Sequence, residues 1–442
     1  MAINVERLRS KSGVLIVLLV GSFISVRVSA QQAIVPLQFS FSDPGARSMG
    51  FGGAFVALAD DATAAFANPA GLVQLLRPEV SIEGRRWSYS TPFTEGGRIE
   101  GLPSGNGIDS TVGLRTATSK YADTELSFIS LVYPMQNWAL AFFRHGLANL
   151  EFFGETQGLF SGGTDCCQDR EPDQRATSDM EIVSYGLSAA YRISAKLHLG
   201  LGAVYHDTSL STSVTQYLWD EDSIQSFFAP NSYLFERSLV NVTTLVDDAD
   251  WTLTGGLLWR LSPSWSIGGV YRQGLKIENT LEGRAGQAGD FGVPPGEVFA
   301  RRTGVGIKFP DIYGLGFAYR APDGRLTVTF QWDRVNYSSI AKSLELDDQV
   351  IDDADELHLG AEYVFLGSSP IIAVRFGTWL DPDHEPRATI DDPLLRALLP
   401  GGDDDMHYAA GIGVAMQSFQ IDFGVDFGER VDAVSLSAIY NF

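Results

Sequence analysis

From Val80 to the C-terminus, apolar and polar residues alternate with a period of two. In "FQIDFGVDF", Phe419, Ile421, Phe423, Val425 and Phe427 fall on one face and Gln420, Asp422, Gly424 and Asp426 on the other. "LTVTFQWD" sets Leu326, Val328, Phe330 and Trp332 against Thr327, Thr329, Gln331 and Asp333. "LHLGAEYVF" and "WTLTGGLLWRL" repeat the pattern. Successive side chains of a strand point to opposite sides, so this is the signature of strands with one apolar face. It predicts strands near 80–89, 125–133, 138–147, 181–193, 197–211, 251–261, 265–281, 302–321, 325–338, 355–366, 370–381, 405–416, 419–428 and 433–442. Pro310 interrupts the eighth, which is read as one long, bent strand because an even count returns both chain ends to the same side.

A soluble sandwich also alternates, and three features separate the two. Short connections at 134–137, 194–196, 262–264, 322–324, 367–369 and 417–418 alternate with long ones near 90–123, 148–180, 215–250, 283–300, 340–354 and 383–404. Short turns on one side and long loops on the other describe an outer-membrane barrel. Trp138, Tyr191, Trp259, Trp265, Tyr319, Phe365 and Phe419 cluster beside the short turns, as an interfacial girdle would. The chain ends "VSLSAIYNF", an apolar face finishing on Phe442. The fold class is therefore an all-β membrane protein, an antiparallel transmembrane β-barrel of about 14 strands, since lipid satisfies no open sheet edge.

Two segments precede the barrel. Arg7, Arg9 and Lys11, an apolar run from Gly13 to Ile24, and small residues up to Ala30 read as a signal peptide over 1–30. Residues 31–79, "GARSMGFGGAFVALADDATAAFANPAGL" within them, are rich in Gly and Ala. Such a thin segment suits a barrel lumen and is assigned as a hatch, with the barrel over 80–442. "DDATAAFANPAG" predicts a short helix capped by Asp60 or Asp61 and ended by Pro69. Asn68 is the polar residue suited to fix the plug, since its amide both donates and accepts. Asp60, Asp61, Asn68, Pro69 and Ala70 are the hatch and gating candidates.

On that stretch, on "QWDRVNYS" (331–338) and on the terminal "IYNF", the chain resembles the FadL family of outer-membrane transporters. The resemblance implies a 14-stranded barrel with a lumenal hatch and uptake of long-chain fatty acids or other hydrophobic compounds. It also implies a lateral exit through a wall defect near the third strand, where Gly146 would weaken pairing. The Gly-rich opening is similar as well to PorV-like barrels, which serve protein secretion.

Composition narrows the partners. The net charge is −22, from 32 Lys and Arg against 54 Asp and Glu, which excludes nucleic acid. Acidic runs at 219–223, 247–250, 352–356 and 401–405 read as solvated loops; they lack a calcium-loop pattern, and no metal or cofactor is indicated. The partners are a hydrophobic small molecule, outer-membrane lipid and lipopolysaccharide, with the protein a monomer. The six histidines form no His-Glu-x-x-His pair and no Gly-x-Ser-x-Gly elbow occurs, so no enzyme is indicated. Cys166 and Cys167 are adjacent, too close for an ordinary disulfide. Arg272 and Arg375 lie on polar strand faces. Each could pair with a ligand carboxylate or with a neighbour such as Glu362 or Asp333. Arg192 and Arg260 read as rim residues beside short turns.

Overall fold

In the structure, a computed structural model, residues 42–162, 170–219, 224–230 and 233–442 are described. The signal-peptide assignment, the first part of the hatch and Cys166 and Cys167 lie outside them. The alternation resolves into fourteen antiparallel strands. They are β1 Glu79–Arg98, β2 Leu114–Pro134, β3 Trp138–Thr156, β4 Asp173–Arg192, β5 Leu197–Tyr217, β6 Ser238–Arg260 and β7 in two segments, Trp265–Arg272 and Lys276–Ala285. β8 is also in two segments, Val298–Lys308 and Ile312–Arg320. Then come β9 Leu326–Val335, β10 Ala354–Phe365, β11 Ile371–Asp381, β12 Asp405–Ala415, β13 Phe419–Phe427 and β14 Val431–Asn441. Each pairs with the next, and β14 returns to β1 with Ser81 opposite Ile439 and Tyr89 opposite Val431, closing the sheet. Closure leaves no edge to satisfy in lipid.

The faces sort as the period requires. Phe419, Phe423, Leu201 and Phe376 are exposed on the outside, whereas Asp422, Ser435, Thr329 and Gln331 are buried in the lumen. Beside the short turns, outward rings pair across strands: Trp138 with Tyr191 at 4.5 Å, Trp265 with Tyr319 at 4.8 Å and Phe419 with Tyr440 at 4.6 Å. These pairs form the interfacial girdle on that side. No described helix is long and apolar enough to cross a membrane.

The first six strands run well past their expected ends on the long-loop side: β1 continues from 89 to Arg98, and β2 begins at Leu114 rather than 125. Beyond the lipid band the outward face of a strand meets water, and along the outer half of β2 neither face is buried. The stretch "RTATSKYADTE" of β2 is therefore polar on both sides and carries no alternating signal.

The wall has two breaks. β2 and β3 pair only from Phe128–His145 to Pro134–Ala139. Past that point β2 stays with β1, while β3 bulges at Leu147 and stays with β4. The second break lies between β6 and β7. Pairing runs from Thr254–Arg272 toward the short turns and from Leu245–Thr280 outward, and fails between. β8 is interrupted beside it at 309–311, so the expected single bent strand is two segments in one crossing; Pro310 supplies no N–H there. Asp250 accepts from the Lys276 N–H at 2.7 Å and Asp248 from the Glu278 N–H at 2.8 Å, in place of backbone carbonyls. The acidic run at 247–250, expected in a loop, is thus part of the wall.

Candidate functional site

Residues 42–78 fold inside the barrel as α1 Ala46–Gly50, α2 Ala64–Ala67 and a 3-10 turn Pro69–Gln74. The segment can be this thin because Ala46, Ala59, Ala62, Ala64, Ala67 and Ala70 are wholly buried. The wall is thin to match. A Cβ on Gly200, Gly268 or Gly377 would lie 2.2 Å from hatch backbone at Ala70, Val56 or Gly52. On Gly360 it would lie 2.4 Å from the Phe51 carbonyl, and on Gly256 it would lie 2.3 Å from Asn68 Oδ1. Inward glycines on β5, β6, β7, β10 and β11 therefore form the seat of the hatch. Sequence reading missed them; the available signal was glycine recurring at the lumenal parity of strands. Gly377→Leu should unseat the hatch, costing about 1–3 kcal/mol of overpacking. The measurement is conductance in planar bilayers with limited proteolysis of residues 42–78. A folded variant that stays closed and protected would show that the seat tolerates bulk.

Polar contacts fix the hatch further. Asn68 Nδ2 donates to the Val56 carbonyl (2.8 Å) and to the Leu257 carbonyl of β6 (3.1 Å), while Oδ1 accepts from the Ala70 N–H (3.1 Å). One amide thereby ties the hatch to itself and to the wall. Pro69, expected to end a helix, opens the 3-10 turn, where its missing N–H needs no partner. Asp60 and Asp61 do not cap α2, which follows Thr63 without a side-chain cap. Asp61 Oδ1 instead accepts from the Thr63 N–H (2.9 Å) and Asp60 is drawn to Arg47 (2.5 Å) and Arg320 of β8 (2.7 Å). Burial works to raise the Asp60 carboxyl, but the Arg47 and Arg320 guanidinium groups outweigh it and hold it well below the usual carboxylate range. Where the hatch leaves the lumen, Arg192 donates to the Val73 carbonyl and Arg260 to Gln74 Oε1. Gln331, in the stretch that carried the family resemblance, accepts from both the Phe55 and Val56 N–H groups at 2.9 Å.

Both candidate ligand arginines are committed to the protein. Arg375 donates to Glu362 and to Asp422, each at 2.6 Å, on the short-turn side of the hatch. Arg272 donates to Asp43 at 2.5 Å and to the Ala67 carbonyl at 2.9 Å, and its guanidinium lies 4.8 Å from the centre of the Phe66 ring. Of the two, only Arg272 lines the cavity on the long-loop side of the hatch.

On that side the lumen becomes apolar. Leu150, Met180, Ile182, Leu210, Val246, Ile277 and Ile307 point inward and cluster with Trp87, Phe309 and the lumenal helix α3 Ser338–Ser343 through Ile340 and Ala341. The change of character along one strand face is legible in β4, where Ser188 and Ser184 give way to Ile182 and Met180 at the same parity. The β2–β3 break opens beside this cluster. The Glu125 carboxylate fills the space a side chain at Gly146 would need, 2.3 Å from the position of a Cβ. Side chains replace the missing ladder: His145 Nδ1 sits 3.1 Å from the Ser127 carbonyl, and Asn149 Nδ2 donates to Asp123 at 2.7 Å.

The fold is that of solved outer-membrane channels. A Pseudomonas aeruginosa FadL homologue superposes with a TM-score of 0.61 at 15% identity, over 92% of this chain and 100% of that one. The Pseudomonas putida toluene transporter TodX gives 0.53 at 14% identity, over 91% and 99%. The monoaromatic hydrocarbon channel CymD gives 0.52 at 17% identity, over 92% and 99%. No protein-family model and no curated protein matches the chain.

Proposed function

We propose that this chain is an outer-membrane transporter that takes up long-chain fatty acids or other hydrophobic compounds. Ligand passes from the long loops into the apolar chamber, is stopped by the hatch, and leaves sideways through the wall between β2 and β3 at Gly146. The observation that carries this reading is a cluster of apolar side chains in the lumen, above a tightly seated plug and beside a break in the wall. A water-filled pore does not desolvate a lipophile, whereas apolar walls do. The solved structures of this fold are described as a FadL homologue, a toluene transporter and a hydrocarbon channel, which supports the same class of cargo. In this scheme Asp60, Asp61, Asn68, Pro69 and Ala70 hold the hatch, and Arg272 on the chamber floor receives an anionic head group in competition with Asp43.

The exit is tested by closing it. Asp123→Cys with Asn149→Cys, in a Cys166→Ser/Cys167→Ser background, places one thiol on each side of the break. A short reducible bis-thiol linker should abolish uptake of labelled oleate and of toluene by cells, and reduction should restore both. Normal uptake by the linked, folded protein would move the exit elsewhere, the β6–β7 break being the other place in the wall. If the unlinked protein takes up neither compound and its loss instead depletes secreted proteins, the transporter reading fails.

A further inference from the structure

Asp333 and Glu356 stand directly opposite each other on β9 and β10. Their side chains are only 9% and 14% exposed, in the lumen against the hatch. Like charges facing each other across an antiparallel pair repel, and among the described residues no arginine or lysine pairs with either. Asp333 Oδ2 receives one hydrogen bond, from Gln331 Nε2 at 2.7 Å, and Oδ1 receives none.

His358 completes the group. It lies two residues along β10 from Glu356 and is 7% exposed. Its Nδ1 is 2.7 Å from the Gly52 carbonyl of the hatch, an acceptor, so Nδ1 carries the proton. Nε2 faces Glu356 Oε2 at 3.5 Å and Asp333 Oδ2 at 3.6 Å, has no hydrogen-bond partner of its own, and in the neutral imidazole carries the lone pair. One atom from each residue lies within 4.8 Å of the others. Three buried lone-pair donors converging without a cation would be strongly unfavourable. The separations exceed those of direct hydrogen bonds. They fit the edge of a tetrahedron around zinc, about 3.4 Å for bonds of about 2.0–2.1 Å. One imidazole with two carboxylates suits a first-row divalent metal better than magnesium or calcium, which take oxygen alone. A ligating histidine held by a carbonyl at its other nitrogen is the usual outer arrangement of such sites.

We propose that Asp333, Glu356 and His358 bind a zinc-class divalent cation in the lumen. Through His358 the metal fastens Gly52, and with it the hatch, to the wall. The proximity is tight: a Cβ on the adjacent Gly53 would lie 3.1 Å from His358 Nδ1. Sequence reading indicated no metal because the acidic partner lies on another strand, joined to the pair only by register.

The test uses the full-length mature protein in detergent, with Cys166→Ser and Cys167→Ser to remove competing thiols. After stripping with a chelator and dialysis, zinc chloride is titrated in. Bound metal is read by plasma mass spectrometry, and the Trp379 indole, which stacks on the His358 ring at 5.2 Å, reports by fluorescence. The expected result is one zinc per chain with a raised melting temperature. Asp333→Asn and His358→Phe should each weaken binding by about 100-fold while migrating as folded, heat-modifiable barrels. Should either variant not fold, the donor set is read on the cobalt-loaded parent protein by X-ray absorption, which should show one imidazole and oxygen donors. Absence of zinc binding by the reloaded parent, equal affinity in folded variants, or a different donor set overturns the proposal. Stabilisation by acid alone, without zinc, would make the cation a proton on His358 and overturns it equally.

Discussion

Arg375→Met should destabilise the barrel by about 3–5 kcal/mol, the cost of stripping the partner from buried charges. Arg375 is 2% exposed at its side chain and its two partners, Glu362 and Asp422, are 7% and 0% exposed. Removing the guanidinium leaves Glu362 with Arg47, 3.4 Å away, and Asp422 with only the Gln420 amide, which donates to it at 2.7 Å. Arg375→Lys should recover little, because a single ammonium nitrogen does not span the two carboxylates that Nε and Nη1 of the guanidinium reach separately. Adding Glu362→Gln and Asp422→Asn to Arg375→Met should recover most of the loss, since the penalty belongs to the orphaned charges rather than to a missing attraction. Urea unfolding from lipid vesicles, followed by tryptophan fluorescence, measures each variant. An unchanged midpoint for Arg375→Met would show that water reaches these carboxylates and that the lumen below the hatch is wet.

What the sequence revealed follows from which contacts are local in the chain. Strand count, closure and turn asymmetry were legible because lipid imposes a period of two on every crossing, and Phe419, Ile421 and Phe423 show it without any knowledge of neighbours. That rule ends with the lipid. The outer half of β2 carries no such signal, and Asp248 and Asp250 looked like loop residues although they complete the wall where β6 and β7 part. The segment at 42–78 stood out as a run of small residues, but the wall glycines it packs against did not. Gly200, Gly268, Gly360 and Gly377 are scattered over four strands and converge only when the barrel closes. Arg272 and Arg375 show the same limit. Their lumenal parity could be read, but their partners Asp43, Glu362 and Asp422 are set by register and by the path of the hatch.

Locking the hatch to the wall should abolish uptake and leave the barrel intact, if ligand release requires the hatch to move. The register identifies the pair to use. A Cβ on Gly316 of β8 would lie 3.1 Å from the Ala57 Cβ, so Ala57→Cys with Gly316→Cys needs only a small opening to reach the roughly 3.5–4.5 Å of a disulfide. The site is on the opposite flank of the hatch from α1 and does not touch the apolar chamber residues, so binding from the long-loop side is left unaltered. A gate needs two hatch states that ligand biases, and a covalent tie removes one of them. In the Cys166→Ser/Cys167→Ser background, the oxidised protein should bind a fluorescent fatty acid as the parent does yet import none, and reduction should return import to the parent rate. Import at the parent rate with the bond formed would mean that ligand passes a stationary plug. The tight seat formed by the wall glycines would then be a seal against leakage, and the break beside Gly146 would have to admit ligand directly from the chamber.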